Sequence, residues 1–153
     1  MAIFHGEITP EMMSTELEKL QQNMSVGAHS TFLGQVRADT VENKSVTHIE
    51  YSAYESMAEK RFTEIKENAI QEFNLRELVI LHSVGNVRAG RVSLFVIVSA
   101  KHRKDTFLAL EKVVNLCKYY VPIWKKEVFE DGSYRWVDEC EHHHHDHNYE
   151  KTK

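Results

Sequence analysis

Basic side chains gather at three places far apart in the sequence: Arg37 after Gly34, the run Lys101-His102-Arg103-Lys104, and Lys118 through Lys126 around Pro122. A guanidinium or ammonium group at the end of a helix or strand binds phosphate or carboxylate through charge-assisted hydrogen bonds, and residues at such ends can converge on one cleft. A lysine crowded by other cations, or partly withdrawn from water, loses proton affinity and can exchange protons near neutrality. Exposed Lys and Arg are also the ordinary surface of a soluble domain, so composition alone favours solvated charge. The order and the neighbours of these residues have to decide.

The formal net charge of -4 argues against a surface built to neutralise nucleic-acid phosphates, so any anion must be met locally. Cys117 and Cys140 are the only cysteines and belong to no CxxC pair, which suggests neither a disulfide framework nor a cysteine zinc site. A thiolate at Cys117, beside Lys118, would be a rival nucleophile, a persulfide carrier. Its place on a stripe with Leu110 and Val114 instead predicts a buried helix cysteine. The run His142-His143-His144-His145-Asp146-His147 could collect a transition metal, but it stands in an unpatterned segment and reads as adventitious binding. The first residues lack a secretory pattern and no apolar run is long enough to span a bilayer, which predicts a cytoplasmic protein.

The elements that must position the basic clusters follow from pattern. With 153 residues, 42% of them hydrophobic, the chain suits one domain with its own core, over 1–138, followed by a charged, His-rich tail over 139–153. Thr9-Pro10-Glu11 reads as a helix start. Val26 to Phe32, closed by Gly34, and Val46 to Tyr54 read as strands. Met57 to Phe73 carries Ala58, Phe62, Ile65 and Ala69 at helical spacing. Leu78 to Val84 and Val92 to Ala100, separated by Gly85 and Gly90, predict a central hairpin. Asp105 can cap a helix in which Phe107, Leu110, Val114 and Cys117 share one face, and Pro122 stops it soon after Lys118. Ser133 to Val137 can add an edge strand. Without a βαβ rhythm or a phosphate-binding glycine fingerprint, the fold class is α+β, a single domain with a mixed or antiparallel sheet and flanking helices.

Four ordered blocks lift the basic clusters above surface charge. Gly27-Ala28-His29-Ser30-Thr31-Phe32-Leu33-Gly34-Gln35-Val36-Arg37 and Tyr51-Ser52-Ala53-Tyr54 with Met57-Ala58 are the first two. Ser99-Ala100-Lys101-His102-Arg103 leading to Phe107, and Lys118-Tyr119-Tyr120-Val121-Pro122-Ile123-Trp124-Lys125-Lys126-Glu127, are the others, completed by Asp131-Gly132 and Trp136. Together they resemble the large, catalytic subunit of molybdopterin synthase over roughly residues 27 to 137. The chain departs from that family's pattern at Ser83 and Arg91, where an arginine and an acidic residue are usual.

The resemblance implies an α/β hammerhead fold and a sulfur transferase of molybdenum cofactor biosynthesis. Such an enzyme converts cyclic pyranopterin monophosphate to molybdopterin, with sulfur from the C-terminal Gly-Gly thiocarboxylate of a small, ubiquitin-like subunit. It implies a homodimer within a heterotetramer, and no metal or cofactor for the transfer. By matching positions, Lys118 and Lys125 are catalytic candidates, Lys118 for proton transfer and oxyanion stabilisation and Lys125 for orienting the anions, with the two roles interchangeable. Gln35, Val36, Arg37, His102, Arg103, Lys126 and Glu127 are candidates for substrate binding. The alternative is a non-catalytic module that binds an anionic metabolite or RNA through basic strand ends and nearby aromatics.

Overall fold

The computed structural model describes residues 1–137; the His-rich segment 139–153 and Cys140 lie outside the described residues. The chain runs β1 (Ile3–His5), α1 (Pro10–Leu20), β2 (Ala28–Gln35), β3 (Thr40–Val41), β4 (Lys44–Ala53), α2 (Glu55–Glu72), β5 (Glu77–Arg88), β6 (Val92–Ala100), α3 (Arg103–Tyr120), β7 (Ile123–Phe129) and β8 (Tyr134–Val137). The strands form one sheet in the order β2-β6-β5-β4-β7-β8, antiparallel throughout that path, with β1 added in parallel to β5 and β3 to β4. This is the α+β arrangement expected from the sequence, with β1, β3 and β7 added.

Strand β6 is buried along almost its whole length because both its faces are covered. Leu94, Val96, Val98 and Ala100 face the buried stripes of α2 (Ala58, Phe62, Ile65, Ala69) and α3 (Ala109, Val113, Val114, Cys117). Phe95 and Ile97 face the other way, onto Ile8, Met13 and Leu20 beneath α1. Each large apolar side chain fully removed from water contributes roughly 2 kcal/mol, so the two layers clamp β6 from opposite sides. Thr9 caps α1, its Oγ1 accepting from the Met12 amide at 3.4 Å.

Strand β5 serves three neighbours, with His82 to Val84 taking β1. Glu77 to His82 pair with β6, whereas Gly85 to Arg88 pair with β4. The change of partner falls where Gly85 takes φ +90°, a backbone state that costs a side-chain-bearing residue. The hairpin therefore does not turn at Gly85; the reversal is made later, with Gly90 at φ +85°. Gly34 likewise does not close β2. It lies inside the strand, where the register against β6 slips between Gly34 and Gln35.

Helix α3 begins at Arg103, two residues before the Asp105 that the sequence proposes as cap; His102 holds the cap position without a side-chain bond, and Asp105 sits in the first turn. Thr106 ties this end down, donating to the Arg103 carbonyl at 2.8 Å and meeting Ser30 Oγ at 2.7 Å. Phe107 is 61% exposed and so leaves the apolar face expected of it; Thr106, Ala109, Val113, Val114 and Cys117 form that face. No helix among the described residues is long and apolar enough to cross a membrane.

Candidate active site

The cavity that matters opens between the C-terminal end of α3 and strands β2, β4 and β7. It measures about 440 Å³, and its wall includes Phe32, Gln35, Arg37, Tyr51, His82, Lys118, Lys125 and Glu127. Strand alternation selects which basic residues of the Pro122 cluster reach it. Tyr51 of β4 pairs with Lys125 of β7, so Ile123, Lys125 and Glu127 share the cavity face. Lys126 pairs with Glu50 and Trp136 on the opposite face. Its Nζ lies 2.6 Å from Glu50 Oε2 and within 6 Å of the Tyr134 and Trp136 rings. The structure thus brings Lys118 and Lys125 together and turns Lys126 away.

Lys118 belongs to the last turn of α3, where a cation complements the negative end of the helix dipole. Its Nζ stands 5.6 Å from the centroid of the Phe32 ring. Lys125 is largely withdrawn from water. Burial first, then the positive charge of Lys118, lower its pKa to about 8, against a smaller opposing pull from Glu127. Glu127 is held by Arg135, whose Nε donates to Oε2 at 2.6 Å. The site therefore has one amine at the cavity mouth and one deeper amine poised to exchange a proton near neutrality.

The Gly34-Gln35 bulge shapes the facing wall. Tyr51 Oη donates to Ser93 Oγ at 2.9 Å, and Ser93 Oγ donates to the Gly34 carbonyl at 3.3 Å, pinning the irregular backbone. A Cβ on Gly34 would fall 3.2 Å from Leu94 Cβ, so glycine lets β2 and β6 approach here. Val36 is buried, and its amide donates to the Arg91 carbonyl at 2.9 Å, which leaves an apolar surface as its contribution. Arg37 is exposed at the rim and pairs with Asp39 at 2.8 Å.

His102 and Arg103 are not in this cavity. With Gly27, Ala28, Lys101 and Lys104 they line a second concavity at the opposite end of α3. Arg103 and Lys118 are separated by fifteen residues of one helix, roughly 22 Å of axial rise. The three basic clusters of the sequence therefore form two sites within one chain, not one. Among the described residues, no group of three or more His, Cys, Asp or Glu side chains could hold a metal ion.

Cys117 touches the cavity wall but is only 3% exposed, and burial pushes its thiol up to about 12. A thiol so held is not a nucleophile at neutral pH. Cys117→Ser should leave any reaction run in this cavity at the wild-type rate; loss of that activity in a folded Cys117→Ser protein would restore the thiol as a nucleophile.

Comparison with known proteins bears on this geometry. The family model described as "MoaE protein" matches residues 8–120, about three quarters of the chain. The chain belongs to the MoaE family. The "Molybdopterin synthase catalytic subunit" of Dictyostelium discoideum is 37% identical over 133 residues, covering 85% of this chain and 84% of that protein. The rice protein of the same name is 41% identical over 111 residues, 72% of this chain, and the chain spans 57% of its length. The crystal structure of molybdopterin synthase from Staphylococcus aureus superposes with a TM-score of 0.79 at 31% identity, covering 90% of this chain and 96% of that one. The MoaE match takes in Arg37, His102, Arg103 and Lys118 and ends before Lys125. These relatives favour the enzyme over the non-catalytic binding module.

Proposed function

We propose that the chain is the catalytic subunit of molybdopterin synthase. On this reading it transfers sulfur from the C-terminal thiocarboxylate of a small ubiquitin-like subunit to cyclic pyranopterin monophosphate, giving molybdopterin. The observation that carries the reading is the convergence of Lys118 and Lys125 on one cavity, with Lys125 held at about 8. Both ligands are anionic, and the amines with Arg37 at the rim supply the countercharge. Gln35 and Val36 shape the wall that the glycine tail passes, and Glu127 fixes the far side through Arg135.

The roles of the lysines divide by environment. Lys118 stands at the mouth and stabilises the negative charge that develops as thiocarboxylate sulfur attacks the pterin side chain. Lys125, near the midpoint of its titration at neutral to mildly alkaline pH, carries the proton. This exchanges the two roles that the resemblance implies. The test of the function is direct: the purified chain, mixed with thiocarboxylated partner and pterin precursor, should form molybdopterin. No product from folded protein would refute it.

His102 and Arg103 enter the reading through a second copy of the chain. In a homodimer, the concavity at the start of α3 of one protomer can face the Lys118 cavity of its partner, completing one anion site from two chains. Lys118→Ala and Arg103→Ala should each be deficient alone. In a randomly reassembled equal mixture, half of the dimers are mixed and each mixed dimer has one intact site, so about a quarter of wild-type activity should return. No recovery would refute the site shared between two chains.

A further inference from the structure

One group in the cavity wall has no part in the mechanism so far. His82 on β5 is 7% exposed, yet it lines the same cavity as Lys118 and Lys125. Its Nδ1 stands 2.9 Å from the Ser83 carbonyl oxygen. A carbonyl only accepts, so Nδ1 carries the ring proton and Nε2 is left with a free lone pair. Two aromatic rings pack against it. Tyr51 meets it edge-on at 5.4 Å between centroids, and Phe62 lies tilted against it at 6.3 Å.

Among the described residues, the only side-chain polar atom both sealed from solvent and without a partner is Ser83 Oγ. No hydrogen bond among the described residues engages His82 Nε2, and the ring that carries it lines the cavity wall. The Tyr51 hydroxyl already donates to Ser93, and Glu127 and Asp39 are engaged by Arg135 and Arg37. Nε2 is thus a neutral acceptor deep in a site whose lysines and arginine are cationic donors.

Resting on the function proposed above, we propose that His82 is a substrate-binding residue whose Nε2 accepts a hydrogen bond from an N–H or O–H of the heterocyclic substrate. Cations alone would hold a phosphate without fixing which edge of the ring faces Lys125. A single fixed acceptor at the cavity wall supplies that orientation, and it discriminates against ligands that lack a donor there. Burial, with the nearby charges of Lys125 and Lys118, lowers the imidazole pKa to about 4, which keeps the lone pair available across the neutral range.

Two measurements test this. In steady-state assays with the thiocarboxylated partner, His82→Phe should raise KM for the pterin precursor about tenfold, the cost of one lost hydrogen bond in a desolvated site. His82→Gln, whose side-chain carbonyl can reach the Nε2 position, should recover most of that loss. His82→Asn keeps a group near Nδ1 only and should behave like His82→Phe. A purely structural histidine would instead rank these variants by thermal stability and leave KM unchanged. The second measurement needs no variant to fold. In histidine-¹⁵N-labelled wild-type protein, the Nε2 resonance of the imidazole that stays neutral in mild acid should move when the pterin precursor alone is added.

An unmoved Nε2 signal together with an unchanged KM, in wild-type protein that transfers sulfur, would overturn the role of His82 and leave the proposed function standing. A shifted signal without any sulfur transfer would uphold the binding role and overturn the function. Neither shift nor transfer would remove both.

Discussion

Lys118→Ala should lower single-turnover sulfur transfer by about three orders of magnitude, the range spanned by loss of a preorganised charge at a reacting centre. The fold should survive, because Lys118 is exposed on the last turn of α3 and its ammonium meets only the distant face of the Phe32 ring among the described aromatic side chains. Its helix-terminal charge is worth no more than about 1 kcal/mol to stability. Activity and melting temperature should therefore separate cleanly. Lys118→Arg sharpens the test. It restores a cation without restoring the compact ammonium geometry, so it should recover part of the rate if Lys118 acts by charge. A near wild-type rate in Lys118→Ala would remove Lys118 from the chemistry altogether.

The sequence reading groups Lys126 with Lys118 and Lys125, whereas only the latter two line the cavity, and the difference has a physical cause. Helices α2 and α3 are legible because their buried residues recur at helical spacing against one apolar sheet face, as Ala58, Phe62, Ile65 and Ala69 do. Strand β7 hides. One of its faces lines a polar cavity through Lys125 and Glu127, and the other carries the exposed Trp124 and the half-buried Lys126, so the alternation that marks a half-buried strand is missing. Without the strand, neighbouring lysines look equivalent; with it, they are on opposite sides of a sheet.

The separation of His102 and Arg103 from the lysine cavity has a different origin. Motif order brings Arg103 and Lys118 into one signature but carries no distance, and the rigid helix between them sets them at opposite ends. His82 is silent in the sequence because a lone histidine in the β-favouring run from Leu78 to Val84 gives no sign of which nitrogen is engaged or what lies across from it. Its signal is three-dimensional: a donor fixed by Ser83 and an acceptor left facing a cavity.

Lys125→Met should sharply lower activity and stabilise the protein, a pairing that sets a cation buried for its chemistry apart from a residue that merely packs. In the folded chain the Lys125 pKa is lowered from 10.5 to about 8, so folding disfavours its charged form. Between those two values the unfolded chain binds the proton and the folded chain does not, and stability rises with pH across that window. Below about 8 both states are protonated and the whole penalty of burying the ammonium near Lys118 is present. Allowing for partial solvent access, that penalty is about 2 kcal/mol. Methionine fills a similar volume without charge, so at neutral pH the variant should melt about 5 °C higher. The gain should shrink as pH rises from 8 towards 10.5, above which the wild-type amine is neutral in both states. Sulfur transfer should fall by at least about a hundredfold, because the group that carries the proton is gone. A Lys125→Met protein no more stable than wild type at neutral pH would mean that the ammonium is well solvated where it sits, and the argument for Lys125 as the proton carrier would lose its physical basis. The two outcomes belong together: a cation that the fold holds at a cost to its own stability is retained for what that strained protonation equilibrium can do to a substrate.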